Sequence, residues 1–116
     1  MSVPDVELDR VFAMYREDLA REGFLTSLFG HIGNNHLHVN IIPRTPVEYD
    51  RGKSLIAGWA DRVVSMGGSV SAEHGIGKLK APLLRRLYSD EEIEAMFELK
   101  RIFDPDLRLN PGNIFG

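Results

Sequence analysis

The sequence contains no cysteine, which removes disulfides, thiolate nucleophiles and cysteine-ligated metal from consideration. That absence leaves the redox compartment open, and a cytoplasmic setting fits, with any membrane association peripheral and through partners. No apolar run is long enough to span a bilayer, and Met1–Arg10 shows no apolar run behind a basic one. Neither a membrane span nor a secretory leader is therefore expected. An excess of basic charge is also missing. The chain sets 14 Lys and Arg against 17 Asp and Glu, for a formal net charge of -3, and its pI is near 5.8. Nucleic acid and anionic membrane surfaces are not expected partners. There is no internal repeat and no low-complexity tract. What remains is 116 residues, 43% of them apolar, which is enough for one soluble domain with a core.

The apolar pattern predicts the elements. Leu8, Val11, Phe12, Tyr15 and Leu19 recur at helical spacing opposite a charged face, with Pro4 near the first turn and Gly23 at the stop. Phe24–Phe29 is short and apolar and is expected to be a strand, and Gly30–Asn35 a turn. His36–Ile42 alternates strictly, so Leu37, Val39 and Ile41 face one way and His36, His38 and Asn40 the other. These pieces make a β-hairpin. Thr45 and Glu48 have capping-box spacing, with Pro46 at the first helical position. The helix that follows places Tyr49, Ile56, Trp59, Val63 and Met66 on one side and ends at Gly67-Gly68. Ser69–Ala72 is expected to be extended and Ala81–Tyr88 to be a short helix. Ser89 and Glu92 form a second capping-box pattern, opening a helix that buries Ile93, Met96, Phe97 and Ile102 and stops at Asp104-Pro105. The tail, Leu109–Phe115, is expected to be irregular. The order predicts an α+β fold, an antiparallel sheet with helices packed on one face.

The chemistry concentrates in two places. His31, His36 and His38 lie within eight residues, and the remaining histidine, His74, follows Glu73 directly. Imidazole and carboxylate suit Zn, Mn or Fe(II), and a set of three protein ligands with an open position is the catalytic pattern. A turn brings His31 and His38 within reach of each other, and Glu73 is available from a neighbouring segment. A half-solvated strand is the plainer reading, although such faces usually carry Lys, Glu, Thr or Ser. Spacing alone leaves a metal site and a hydrogen-bonded polar cluster both open. In Ser71–Lys78 the glycines Gly75 and Gly77 let a ligand approach the backbone. A histidine beside a metal-bound carboxylate is suited to proton abstraction, because imidazole titrates near neutral pH. The plainer reading there is a charged surface turn. The G-x-G lacks the third glycine of a dinucleotide fingerprint. Lys78 and Lys80 suit a carboxylate or phosphate but stand isolated.

Three ordered segments carry a family resemblance. They are Phe29-Gly30-His31-Ile32-Gly33 with Leu37-His38-Val39-Asn40, then Gly68 to Gly77 with its Ser71-Ala72-Glu73-His74-Gly75, then Leu109-Asn110-Pro111-Gly112. From about Phe24 onward the chain resembles the C-terminal domain of FAD-linked oxidases. That group contains D-lactate dehydrogenase, the glycolate oxidase catalytic subunit and D-2-hydroxyglutarate dehydrogenase. The resemblance implies that residues 1–116 are the C-terminal part of a flavoenzyme cap domain. It implies His31, His38 and Glu73 as ligands of a divalent metal (Zn, Mn or Fe), His74 as general base, Asn40 at the substrate carboxylate, and Asn110 near the flavin ring. The implied reaction oxidises a D-2-hydroxy acid of lactate or glycolate type to the 2-oxo acid, with hydride passing to FAD.

The sequence departs from the family in two motifs. The usual G-D-G-N turn reads Gly33-Asn34-Asn35-His36, which removes an acid and adds an imidazole. The usual N-P-G-K ends in Asn113. The flavin-binding domain that precedes this region in the family is not among these residues, so FAD is expected on a domain in the same or another chain. The isolated chain is expected neither to bind FAD tightly nor to turn over, and an open sheet edge is expected to make it a homo-oligomer. Two readings from other classes stand beside this one. The first is a stand-alone module that binds a metal or small ligand without catalysis, and the second a purely structural or oligomerising piece.

Overall fold

A computed structural model describes residues 1–115. They form two units, Met1–Ala72 and Glu73–Gly116. Among the described residues no helix is long and apolar enough to cross a membrane.

The first unit opens with a 3-10 turn, Asp5–Glu7, and continues through α1 (Leu8–Glu22), β1 (Leu25–His31), β2 (His36–Ile42) and α2 (Pro46–Ser65). The two strands pair antiparallel, from Leu25 opposite Ile42 to His31 opposite His36. Directly opposed residues share a face of the sheet. Leu28, Leu37, Val39 and Ile41 therefore lie on one face, where they pack against Val11, Met14, Tyr15 and Leu19 of α1 and Trp59, Val63 and Met66 beyond. Both helices cover that face, and the predicted α+β architecture holds. The buried stripe of α1 runs Val11, Met14, Tyr15, Asp18, Leu19. Phe12, expected in the core, is 40% exposed, because it lies about 100° around the helix from Val11. Tyr49, in the first turn of α2, is exposed, and Gly52, Trp59, Ala60 and Val63 are the buried residues of that helix.

One carboxylate is built into this core. Asp18 accepts from the Trp59 indole N–H at 2.8 Å, from Arg62 at 2.9 Å and from Arg21 at 2.7 Å. Burial pushes its carboxyl up, but these three donors outweigh that and hold it below the ordinary range. Tyr15 meets Trp59 edge-on, with ring centres 4.6 Å apart, and burial raises its phenol to about 12.

Caps and close approaches fix the remaining geometry. The Thr45 side chain accepts from the Glu48 N–H. The Glu48 carboxylate reaches past Thr45 to the backbone N–H and guanidinium of Arg44, each at 2.7 Å, so the expected box closes one residue early. The extended piece at Ser69–Ala72 shrinks to a single bridge among the described residues, between Ser69 and Ser2, which also bridges His36. Gly68 makes that bridge possible, since a Cβ there would stand 2.4 Å from the Ser2 carbonyl oxygen.

The second unit contains a loop, α3 (Ala81–Leu84), α4 (Asp90–Phe103) and an irregular tail. α3 is shorter than expected: beyond Leu84 the backbone turns in i→i+3 bonds at Arg86 and Leu87. Ser89 and Glu92 close a complete capping box. Ile93 is buried as expected, while Ile102 is 74% exposed.

Candidate functional site

The register of the hairpin brings one group of the expected residues together. Ser27 stands opposite Asn40, Phe29 opposite His38, and His31 opposite His36. All of these point away from the core-facing residues, because side chains alternate along a strand. His31 and His38 have ring centres 5.7 Å apart, and His36 and His38 have theirs 4.2 Å apart. Phe29 stacks on His38 at 5.0 Å with an interplanar angle of 11°. Asn40 donates to the Ser27 hydroxyl at 3.3 Å.

Two local features bring the strands together at this end. Gly30 pairs with Leu37, and a Cβ at Gly30 would lie 2.2 Å from the His36 carbonyl oxygen. No rotamer change relieves a backbone clash of that kind, so the motif requires glycine there. After the 3-10 turn Ile32–Asn34, Asn35 takes a left-handed conformation (φ 47°) that asparagine tolerates. Its side-chain amide donates to Asp5, tying the turn to the start of the chain. His31 and His38 are thus a pair of imidazoles on one braced face, and that donor chemistry fits a borderline divalent ion.

Other expected residues lie in Glu73–Gly116. Glu73 and His74 sit side by side, with Glu73 Oε1 3.1 Å from His74 Nε2. The loop beyond them has Gly75 at φ 68° and Gly77 at φ 58°, so consecutive residues do not alternate as on a strand. The same loop carries Lys78 to the tail, where its Nζ lies 3.7 Å from the position a Gly112 Cβ would take. Asn110, Pro111, Gly112 and Asn113 form a turn closed by the Asn113 N–H to the Asn110 carbonyl. Gly112 stands at φ 75° in the third position, where a Pro-Gly turn favours glycine.

That turn is held from beneath by a pair of residues that motif reading passed over. The Asp104 carboxylate accepts from the backbone N–H of Arg108 at 2.9 Å and of Leu109 at 3.0 Å, and from Lys100 at 2.7 Å. Lys100 also donates to the Leu109 carbonyl at 2.9 Å. The Lys100 hydrogen bond is the main reason the Asp104 carboxyl lies below the ordinary range, with the two backbone N–H groups assisting against burial. The i,i+4 spacing of Lys100 and Asp104 was the available sequence signal. An exposed Asn110 on a braced turn fits a residue that offers its amide to a cofactor carried by another domain.

The expected site residues therefore fall into two groups. His31, His38 and Asn40 share the outer face of the hairpin, and Glu73, His74 and Asn110 belong to the second unit. Phe29 and Ser27 join the first group through the register, which only the strand pairing reveals.

The sequence model of the family described as "FAD linked oxidases, C-terminal domain" matches residues 1–114. The chain is 33% identical over 116 residues to the glycolate oxidase subunit GlcD of Bacillus subtilis, covering 98% of this chain and 25% of that protein. It is 42% identical over 91 residues to D-2-hydroxyglutarate dehydrogenase of Stutzerimonas stutzeri, covering 75% of this chain and 20% of that one. It is 27% identical over 115 residues to the mitochondrial D-lactate dehydrogenase (cytochrome) 1 of Saccharomyces cerevisiae, covering 99% and 20%. The chain spans a quarter or less of the length of these relatives.

Proposed function

The chain belongs to the FAD-linked oxidase C-terminal domain family, and on that premise we propose that it is the substrate- and metal-binding part of an FAD-dependent dehydrogenase that oxidises a D-2-hydroxy acid to the 2-oxo acid. The observation that carries this reading is the outer face of the hairpin. It sets His31 and His38 side by side, with Asn40 two residues further along the same face. Glu73 supplies the third ligand. Its segment leaves the first unit four residues after Ser69, which Ser2 bridges to His36, so the chain is anchored beside the histidine end before Glu73 is reached.

Each residue then has one task. His31, His38 and Glu73 hold the ion, and Asn40 donates its amide to the substrate carboxylate, orienting the α-hydroxyl. His74 takes the hydroxyl proton on its imidazole nitrogen, with the Glu73 carboxylate 3.1 Å away beside it. Asn110 offers its side-chain amide to the flavin ring. A metal held by these residues would supply polarisation of the hydroxyl oxygen, and FAD would supply the hydride acceptor. FAD itself is held by a flavin-binding domain in the same or another chain.

Metal content of the purified chain tests the ligand set. About one zinc, manganese or iron per chain is expected, lost in His31→Ala and His38→Ala. When the chain is joined to a flavin domain, His74→Ala is expected to lower turnover by about 100-fold or more, the usual scale of general-base removal, with metal content unchanged. Loss of metal in His74→Ala would show that base and ligand have been exchanged.

A further inference from the structure

The hairpin carries one imidazole more than the proposed ligand set uses. His36 opposes His31 across the strands and lies two residues before His38 on the same strand, so all three project from one face. An imidazole nitrogen lies about 2.0–2.1 Å from a zinc ion and its ring centre about 1.1 Å further out, so two rings on one ion have centres at most about 6.4 Å apart. The centres here are 6.1 Å apart for His31 and His36, 5.7 Å for His31 and His38, and 4.2 Å for His36 and His38. Every pair falls inside this outer bound, and since three rings around one tetrahedral ion stand about 5 Å apart, the exposed His31 ring has to swing inward to join the other two.

The backbone under these rings is fixed from both sides. On the outer edge Ser2 bridges His36, while Leu37 exchanges hydrogen bonds with Met1 through its N–H and its carbonyl. On the inner edge the Gly30 backbone presses against the His36 carbonyl. His36 is 5% exposed, while His31 lies open to solvent. An ion would enter past His31 and meet His36 last. A site whose Cα–Cβ directions are set in advance loses little freedom when it closes on an ion.

We propose that His36 is a third imidazole ligand, so that His31, His36 and His38 hold a divalent transition ion on the hairpin alone. The inference rests on the reading of His31 and His38 as ligands and extends it. Three imidazoles favour copper and zinc, whereas carboxylate-rich sets suit manganese. His36 thus tunes which metal this chain selects, and the site holds an ion even when Glu73 is absent.

The test uses the 116-residue chain loaded with one equivalent of Cu(II), with coordinated imidazoles counted by pulsed EPR. The inference expects three imidazoles in the unaltered chain, in His74→Gln and in Glu73→Gln, and two in His36→Asn. It also expects zinc affinity in His36→Asn to fall by about tenfold or more relative to manganese, the scale on which losing a group that supports a metal site acts. The count on the unaltered chain decides the matter even if a His36 variant fails to fold. Two imidazoles there, with copper lost in Glu73→Gln, would overturn the inference and keep the two-histidine, one-carboxylate set. A third imidazole that vanishes in His74→Gln would also overturn it. No bound copper at all would overturn both readings together.

Discussion

Met1–Ala72 and Glu73–Gly116 place their chemical groups by different means. In the first unit His31, His38 and Asn40 stand on paired strands, over a core in which Tyr15 and Val63 are almost fully buried. Their directions follow from strand register, and register follows from the apolar face beneath. In the second unit His74 and Asn110 stand on loops. There the bracing is polar, with Asp104 and Lys100 gripping Leu109 and its neighbour Arg108. A group set by register can be displaced only by breaking the core. A group set by a few hydrogen bonds can be released one bond at a time. Side chains set by register over a packed core are held in direction, whereas side chains on loops can shift with whatever they meet.

Three predictions set the two units against each other. The largest effect is expected from Trp59→Ala. It empties the core and leaves Asp18 without its indole donor, for about 3–5 kcal/mol of lost stability. Circular dichroism melting should show the loss, and an unchanged melt would mean that the core does not hold the hairpin.

Acidification should act less strongly. The Asp18 carboxyl lies below its ordinary value in the folded chain, so the unfolded chain binds the extra proton first. Its contribution is full above about pH 5 and fades as pH falls through the unfolded value near 4 toward the lower folded one. Asp18→Asn should flatten stability against pH in that window, read by urea midpoints at each pH. A slope identical to that of the unaltered chain would remove Asp18 from the balance.

The smallest effect is expected from Asp104→Asn. It weakens the grip on the tail, so the amides of Arg108 and Leu109 should exchange with deuterium faster. Metal content should stay as it was. Slower or equal exchange would show that the Asn110 turn does not depend on the carboxylate.

The sequence made some of this legible and hid the rest for physical reasons. Strand β2 was readable residue by residue, because period-two alternation is a strong signal and one face is buried. The Ser89–Glu92 capping box was readable because both halves are local. The box at Thr45 was half right, because Arg44 offers Glu48 a guanidinium as well as a backbone N–H. Ser69–Ala72 looked like a strand, yet a strand needs a partner of matching length, and Ser2 supplies one residue. Asp18 could not be placed in the core by local reading. Its partners Trp59 and Arg62 lie 41 and 44 residues away. Among the site residues, the motif histidines, Glu73 and Asn110 were visible as types in order, but Phe29 joined His38 only through strand pairing. The family match reaches back to residue 1, past the motif-bearing region that begins near Phe24, and takes in α1, whose buried stripe here carries no motif side chain.

Trp59 is the only tryptophan in the chain. Its indole N–H is bound to Asp18 and its ring meets Tyr15, both in the unit that carries the histidines. Tryptophan emission is therefore an optical gauge of that unit. On acidification it reads the protonation of its own hydrogen-bond acceptor. The half that carries the hairpin histidines can thus be followed by its intrinsic fluorescence, without a label, while the loop-bearing half is altered at will.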